Sequence, residues 1–268
     1  MDVKRALPRP ELRSVLRSFG EICVDLGSAG RTWPVAARPH QMLQFHLAEP
    51  YRTRHDNGPA SLMPRTYLSG PLTYQRVQIY ESGLIHVFNI LFHPTGLNRL
   101  VGINMASLVN NAASASDVLG RSALALDDSV RLAPDFPSRV ASVERWVAMM
   151  MEKREPDSTI EGSSRLLMAV QGRARIDSLV RRSGLSASQF QRRFASEVGM
   201  TPKLFARTIR FDAAMGAHHN APDRSWTDIV HEFGYFDQAH FIGECRTFAG
   251  VLPSGLVGDW ENTRYPGQ

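Results

Sequence analysis

The sequence predicts an α+β protein. A β-rich, barrel-like part over residues 1–135 is followed by a helix and linker over 136–158 and an all-α part over 159–268 with two helix–turn–helix units. Three observations carry this prediction. Segments in the first half alternate apolar and polar residues, the period of a half-buried strand. After Pro134 and Pro137 the apolar period becomes helical. From residue 159 onward, short amphipathic stretches closed by glycine and opened by capping residues occur twice over.

MLQFHL sets Leu43, Phe45 and Leu47 on one side and Gln44 and His46 on the other. LIHVFNILF sets Leu84, His86, Phe88, Ile90 and Phe92 on one face. Turn signals separate the strands at Asn57-Gly58-Pro59, Gly70-Pro71 and Pro94-Thr95-Gly96. Val140, Val143, Val147 and Met150 then fall on one helical stripe beside Trp146. That stripe either packs on its own barrel or forms a dimer seam with a second copy. The polar run Lys153-Arg154-Glu155-Pro156-Asp157-Ser158 marks the boundary, because proline opposes helix through it.

In the last part Ile176, Leu179 and Val180 form an apolar face and Gly184 ends that helix. Ser186 and Gln189 make a capping box that opens the next, in which Phe190, Phe194 and Val198 stack. Gly199 closes it, and Thr201-Pro202 opens a longer helix. The arrangement repeats with Ser225 and Asp228, the stripe Trp226, Ile229, Val230 and Phe233, the turn Gly234, and the face Phe241, Cys245 and Phe248. Phe190 and Phe241 are the matching positions.

The chain has 268 residues, 43% hydrophobic and 21% charged, enough for one or two domains with their own cores. It lacks an apolar run of ~18 residues, and its start puts charge and proline where a signal peptide needs an apolar stretch. With two distant cysteines, Cys23 and Cys245, neither a disulfide framework nor a thiolate zinc site is expected, and a reducing cytoplasm is. The net charge of +5 is unevenly spread. Residues 173–212 hold nine Lys/Arg against three carboxylates, whereas residues 213–268 hold three against seven.

The run SLVRRSGLSASQFQRRFASEVGMTPKLFARTIRF, with DIVHEFGYFDQAHF and Phe248-x-Gly250-x-x-Pro253, resembles the paired DNA-binding units of AraC/XylS-type bacterial transcription regulators. Residues 86–120, with LFHPTGLNRLVGI, are similar to a domain of unassigned ligand that often precedes this module. The resemblance implies a sequence-specific DNA-binding regulator. The basic charge around the first unit, with Gln191 and Arg192 on its outer face, predicts that this unit dominates affinity and base readout, and neither catalytic activity nor a cofactor is expected. Duplex DNA is the expected partner, with a small-molecule effector, RNA polymerase and a second copy of the chain as further candidates.

Helical geometry points Ser188, Arg192 and Ser196 away from the buried direction, with Gln191 and Arg193 on the flanks. The resemblance places base contacts at Ser188, Gln191 and Arg192; arginine suits guanine and glutamine suits adenine. Arg181, Arg182, Arg193, Lys203, Arg207 and Arg210 are the phosphate candidates. The second unit departs from the family pattern, carrying Gly243 where an arginine is common, so Gln238, His240 and Ile242 become its base-contact candidates.

The histidines His40, His46, His55, His86 and His93 raise the alternative of a metal-dependent barrel enzyme tethered to DNA, but they show no ligand spacing. No nucleophile elbow, phosphate loop or dinucleotide glycine pattern is present. The weak second reader suggests a further alternative, an interaction adaptor with weakened DNA binding. Trp33, Phe45, His46, Tyr74, Tyr80, His86 and Phe88 are candidates to line an effector pocket, with the barrel core as their other reading. Cys23 reads as a buried structural thiol and Cys245 as core filler.

Overall fold

The computed structural model describes residues 1–74, 77–152 and 158–253. Among these the first half holds strands β1 (Asp2–Ala6), β2 (Leu16–Asp25), β3 (Arg31–Val35), β4 (Gln41–His46) and β5 (Arg52–His55). β6 (Ser61–Leu62), β7 (Thr66–Ser69), β8 (Val77–Glu81), β9 (Leu84–Phe92) and β10 (Ala112–Ser114) follow. They form a six-stranded sheet in the order β1-β2-β9-β4-β7-β10 and a four-stranded sheet in the order β3-β8-β5-β6. Trp33, Met42, Tyr67, Ile79, Val87 and Leu91 fill the space where the two sheets face each other. The expected barrel-like half is therefore a two-sheet sandwich.

The two segments with the clearest alternation became the central strands β4 and β9, which pair antiparallel with Leu43 opposite Ile90 and Phe45 opposite Phe88. Every residue of β4 is buried, polar ones included, because helices cover the outer face of the larger sheet. These are α1 (Gly96–Val101), α2 (Ala115–Leu119), α3 (Arg121–Leu132) and α4 (Phe136–Met151). Phe19, Phe45, Phe88, Ile90 and Phe92 meet Leu126, Val130, Val143 and Val147 in one core.

One expectation is corrected here and one open alternative is decided. Residues 115–132, read as strand and loop, are helical: Ala123, Leu126 and Val130 form a stripe too short and interrupted to stand out, and the sheet beneath supplies its partner. The stripe of α4 is not a seam. Val143 and Val147 are fully buried against the chain's own sheet, with Val140 and Met150 packed beside them, so no apolar face of this stripe is left for a second copy.

The second half holds α5 (Ser158–Ala169), α6 (Ile176–Ser183), α7 (Ala187–Val198), α8 (Pro202–Asn220), α9 (Trp226–Glu232) and α10 (Gln238–Ala249). The boundary residues 153–157 and the end from residue 254 lie outside the described residues. α6 and α7 close one core around Phe190, Phe194, Val198, Phe205 and Ile209, to which α5 adds Ile160 and Leu167. α9 and α10 close another around Phe211, Met215, Ile229, Phe241 and Phe248. The long helix α8 feeds both cores from successive turns, and so joins the two units.

The halves are tied at the C-terminal ends of α7 and α10. Ala37 N donates to Phe248 O at 2.7 Å, and Ala36 and Ala37 enter the second core. Gln41 Nε2 donates to Pro94 O and reaches Val198 O at 3.4 Å. The bonds to Phe248 O and Val198 O occupy carbonyls that a helix end leaves without an intrahelical partner. One short stretch, from Ala36 after β3 to Gln41 at the start of β4, thereby braces both helices from behind.

Candidate DNA-binding surface

The first unit is built by local rules. Gly184, in the left-handed region at φ 69°, ends α6. Ser186 Oγ accepts from Gln189 N at 3.3 Å while Gln189 Oε1 accepts from Ser186 N at 3.0 Å, the expected reciprocal capping box. With Phe190, Phe194 and Val198 inward, Ser188, Gln191 and Arg192 are exposed side by side on the outer face of α7, and Ser196 is half-buried. Gln189 is occupied by the cap and Thr201 caps α8 through Leu204 N at 3.3 Å.

The cations around this face fall into two groups. Arg182, Arg192 and Lys203 are exposed, as is Arg181, which donates to the Ser178 hydroxyl at 3.2 Å. Arg193, Arg207 and Arg210 are engaged within the fold. Arg193 pairs with Glu197 at 2.9 Å one turn along. Arg207 grips Glu244 of α10, a buried carboxylate 37 residues away, with Nη2 to Oε1 at 2.6 Å and Nε to Oε1 at 3.1 Å. Arg210 Nη2 donates to Gly172 O at 3.2 Å, and its guanidinium lies 5.7 Å from the Tyr235 ring centre. Arg207 and Arg210 thus hold the two units together, which nothing in their sequence spacing announced.

The second unit repeats the design with different chemistry. Ser225 Oγ accepts from Asp228 N at 3.1 Å, but the Asp228 carboxylate accepts from the Ser225 hydroxyl at 2.7 Å, so only half of a reciprocal box forms. Asp237 caps α10 by accepting from His240 N at 2.7 Å. Gln238, Ala239, His240 and Gly243 are exposed and Ile242 is half-buried. Of the basic residues here, Arg224 is paired with Glu232 at 2.5 Å, while Arg246 is exposed on α10. A carboxylate at the N-cap favours the helix dipole and repels a phosphate approaching there. Helix α7 has a neutral serine in that place.

Burial pushes the Cys245 thiol up to about 12, with Glu244 adding to the effect, so it stays a protonated core group as expected. Burial also holds the Tyr235 phenol protonated well above its usual range. Cys23 is half-buried on β2, which corrects its reading as a buried thiol: in the sheet it lies between His86 of β9 and Asp2 of the exposed edge strand β1.

The pocket candidates of the first half are not brought together. Phe45 and Phe88 belong to the helix-covered core and Trp33 to the inter-sheet core. His86 pairs with Glu21 at 3.2 Å, and Tyr80 stacks near Arg54. Among the described residues, no three of His, Cys, Asp and Glu cluster to hold a metal ion. No described helix is long and apolar enough to cross a membrane.

The family model of a helix-turn-helix domain matches residues 179–257. No curated protein matches the chain by sequence. Among solved structures, ToxT from Vibrio cholerae aligns at a TM-score of 0.50 and 10% identity, covering 89% of this chain and 97% of that one. ToxT bound to (E)-4-(8-methylnaphthalen-1-yl)but-3-enoic acid aligns at a TM-score of 0.50 and 12% identity, covering 89% and 98%. At such identities the likeness is one of fold, a β-rich first half with a helical second half.

Proposed function

We propose that residues 179–257, which match a helix-turn-helix domain, are the AraC-type DNA-binding part of a transcription regulator and that α7 is its dominant reader. Ser188, Gln191 and Arg192 contact bases, and Arg181, Arg182 and Lys203 set the register through phosphates. The observation that carries this reading is the exposed row Ser188, Gln191 and Arg192, opposite three buried apolar residues and flanked by Arg181, Arg182 and Lys203, which have no carboxylate partner among the described residues. Arg193 contributes from the flank, while Arg207 and Arg210 act by holding the units in place. In α10, Gln238, His240 and Ile242 read a second groove segment with less charge behind them.

Selection of bound duplexes from random DNA by the full chain tests this. The expected site has one sharp segment and one diffuse segment. Arg192→Ala loses about 1–3 kcal/mol on the preferred site and flattens preference at one base pair. An equal loss on every sequence would make Arg192 a phosphate contact instead.

For the first half, residues 1–135, the same reading assigns sensing of a small effector between the sheets. Gln44 Oε1, Ser69 Oγ and both side-chain atoms of Asn89 are buried without a partner. Gln44 and Asn89 are cross-strand neighbours on the face that carries Met42, Val87 and Leu91. Unsatisfied neutral donors and acceptors of this kind suit an uncharged hydrogen-bonding ligand. A small polyol or amide that raises the Tm of the wild type but not of Asn89→Leu is the supporting result; no such difference across a panel removes the assignment.

A further inference from the structure

Phe236 is 87% exposed although the residue before it, Tyr235, is 4% exposed. Among the described residues it is the one large aromatic side chain left in water. The two units explain how this comes about. In the first, the residue before the N-cap is Leu185, which packs on the core beneath α7, the usual task of an apolar residue in that position. In the second, the N-cap is Asp237, and Tyr235 does the packing instead, its ring 5.0 Å from that of Phe241. Phe236 is thereby freed from the core and projects just ahead of the first turn of α10, where Gln238, Ala239 and His240 are also exposed.

We propose that Phe236 is a base-contacting residue of the second unit, its ring packing against a thymine 5-methyl group in the major groove. The inference rests on the DNA-binding reading above. Reading helices enter the groove N-terminus first, which puts the residue before the N-cap beside the base edges. Apolar side chains distinguish thymine by its methyl group. The local charge favours an apolar contact over a phosphate contact, since the adjacent N-cap is the carboxylate Asp237 and Arg224 is taken up by Glu232. This gives α10 a means of sequence readout in place of the arginine that Gly243 leaves out.

The test uses the full chain on the duplex it selects from random DNA, with each thymine of the second segment replaced in turn by uracil. One replacement weakens wild-type binding about fourfold, the effect of one buried methyl. Phe236→Ala binds the thymine duplex about fivefold more weakly, and the same uracil replacement then has no further effect. Its salt dependence equals that of the wild type, because no phosphate contact is lost. Since the side chain packs on nothing, its melting also equals the wild type's. Unchanged affinity in Phe236→Ala overturns the proposal, as does a uracil effect that persists in it. Failure of the wild type to select any duplex would instead sink the DNA-binding reading itself.

Discussion

Replacing Gly199 by alanine measures how firmly the first reading helix is docked on the β-rich half. Gly199 and Gly184 both end helices in the left-handed region, at φ 93° and 69°. An alanine in either place pays the same kind of backbone penalty, about 1–2 kcal/mol. Their surroundings differ. A Cβ on Gly184 meets nothing within 4 Å, whereas one on Gly199 lies 3.0 Å from Pro71 Cγ and 3.2 Å from both Met105 O and Val109 Cγ2. A proline ring and a backbone carbonyl yield little, so overpacking adds about 1–3 kcal/mol at Gly199. Urea unfolding of the full chain, followed by circular dichroism, should show Gly184→Ala losing about 1–2 kcal/mol and Gly199→Ala about 2–5 kcal/mol. Adding Val109→Ala should recover part of the loss in Gly199→Ala and none in Gly184→Ala. Equal losses in the two glycine variants, or no recovery, would mean that the end of α7 does not seat against Pro71 and Met105.

Three further outcomes follow from the same geometry. Arg181→Ala with Arg182→Ala should lower the slope of log K against log salt by about 0.9 per residue, while Arg207→Ala leaves the slope alone and destabilises the fold by unpairing the buried Glu244; a slope change in Arg207→Ala would return it to the phosphate contacts. Phe194→Ala should cost about 3–5 kcal/mol, since its fully buried ring lies 5.7 Å from Phe190 and 5.5 Å from Phe205, and a variant that melts like the wild type would mean the face of α7 is inverted. Burial, with Arg17 donating to the ring at 3.0 Å, pulls the His40 imidazole down to about 4, and burial does the same to His46 and His93. The unfolded chain then takes up protons below about pH 6.5 that the folded chain refuses until about pH 4, so stability falls as pH drops through that window. Flat stability from pH 7 to 4.5 would contradict this, and His46→Gln should make the fall shallower.

The capping box at Ser186, the glycines that end α6 and α7, and the Phe190–Phe194–Val198 stripe were legible because each acts within a few residues along the chain. The strands β4 and β9 were legible for the same reason, since a period of two is a local signal. What the sequence did not reveal depends on groups far apart in the chain. The helical state of residues 115–132 needed the sheet that covers their weak stripe. The partner of the α4 stripe was undecided because an apolar face records that it is buried and not against what. Arg207 and Arg210 looked like their cationic neighbours until folding brought Glu244 and Gly172 within hydrogen-bond reach. Phe236 carried no mark that set it apart from Tyr235, because only the packing of α10 chose which of two adjacent rings goes inside. Sequence by itself determined the local elements and the face that Phe190 and Phe194 leave outward. Tertiary structure alone decided which charges on that face stay unpaired and how both reading helices are braced from behind, because a guanidinium is claimed by whichever carboxylate or carbonyl the fold delivers to it.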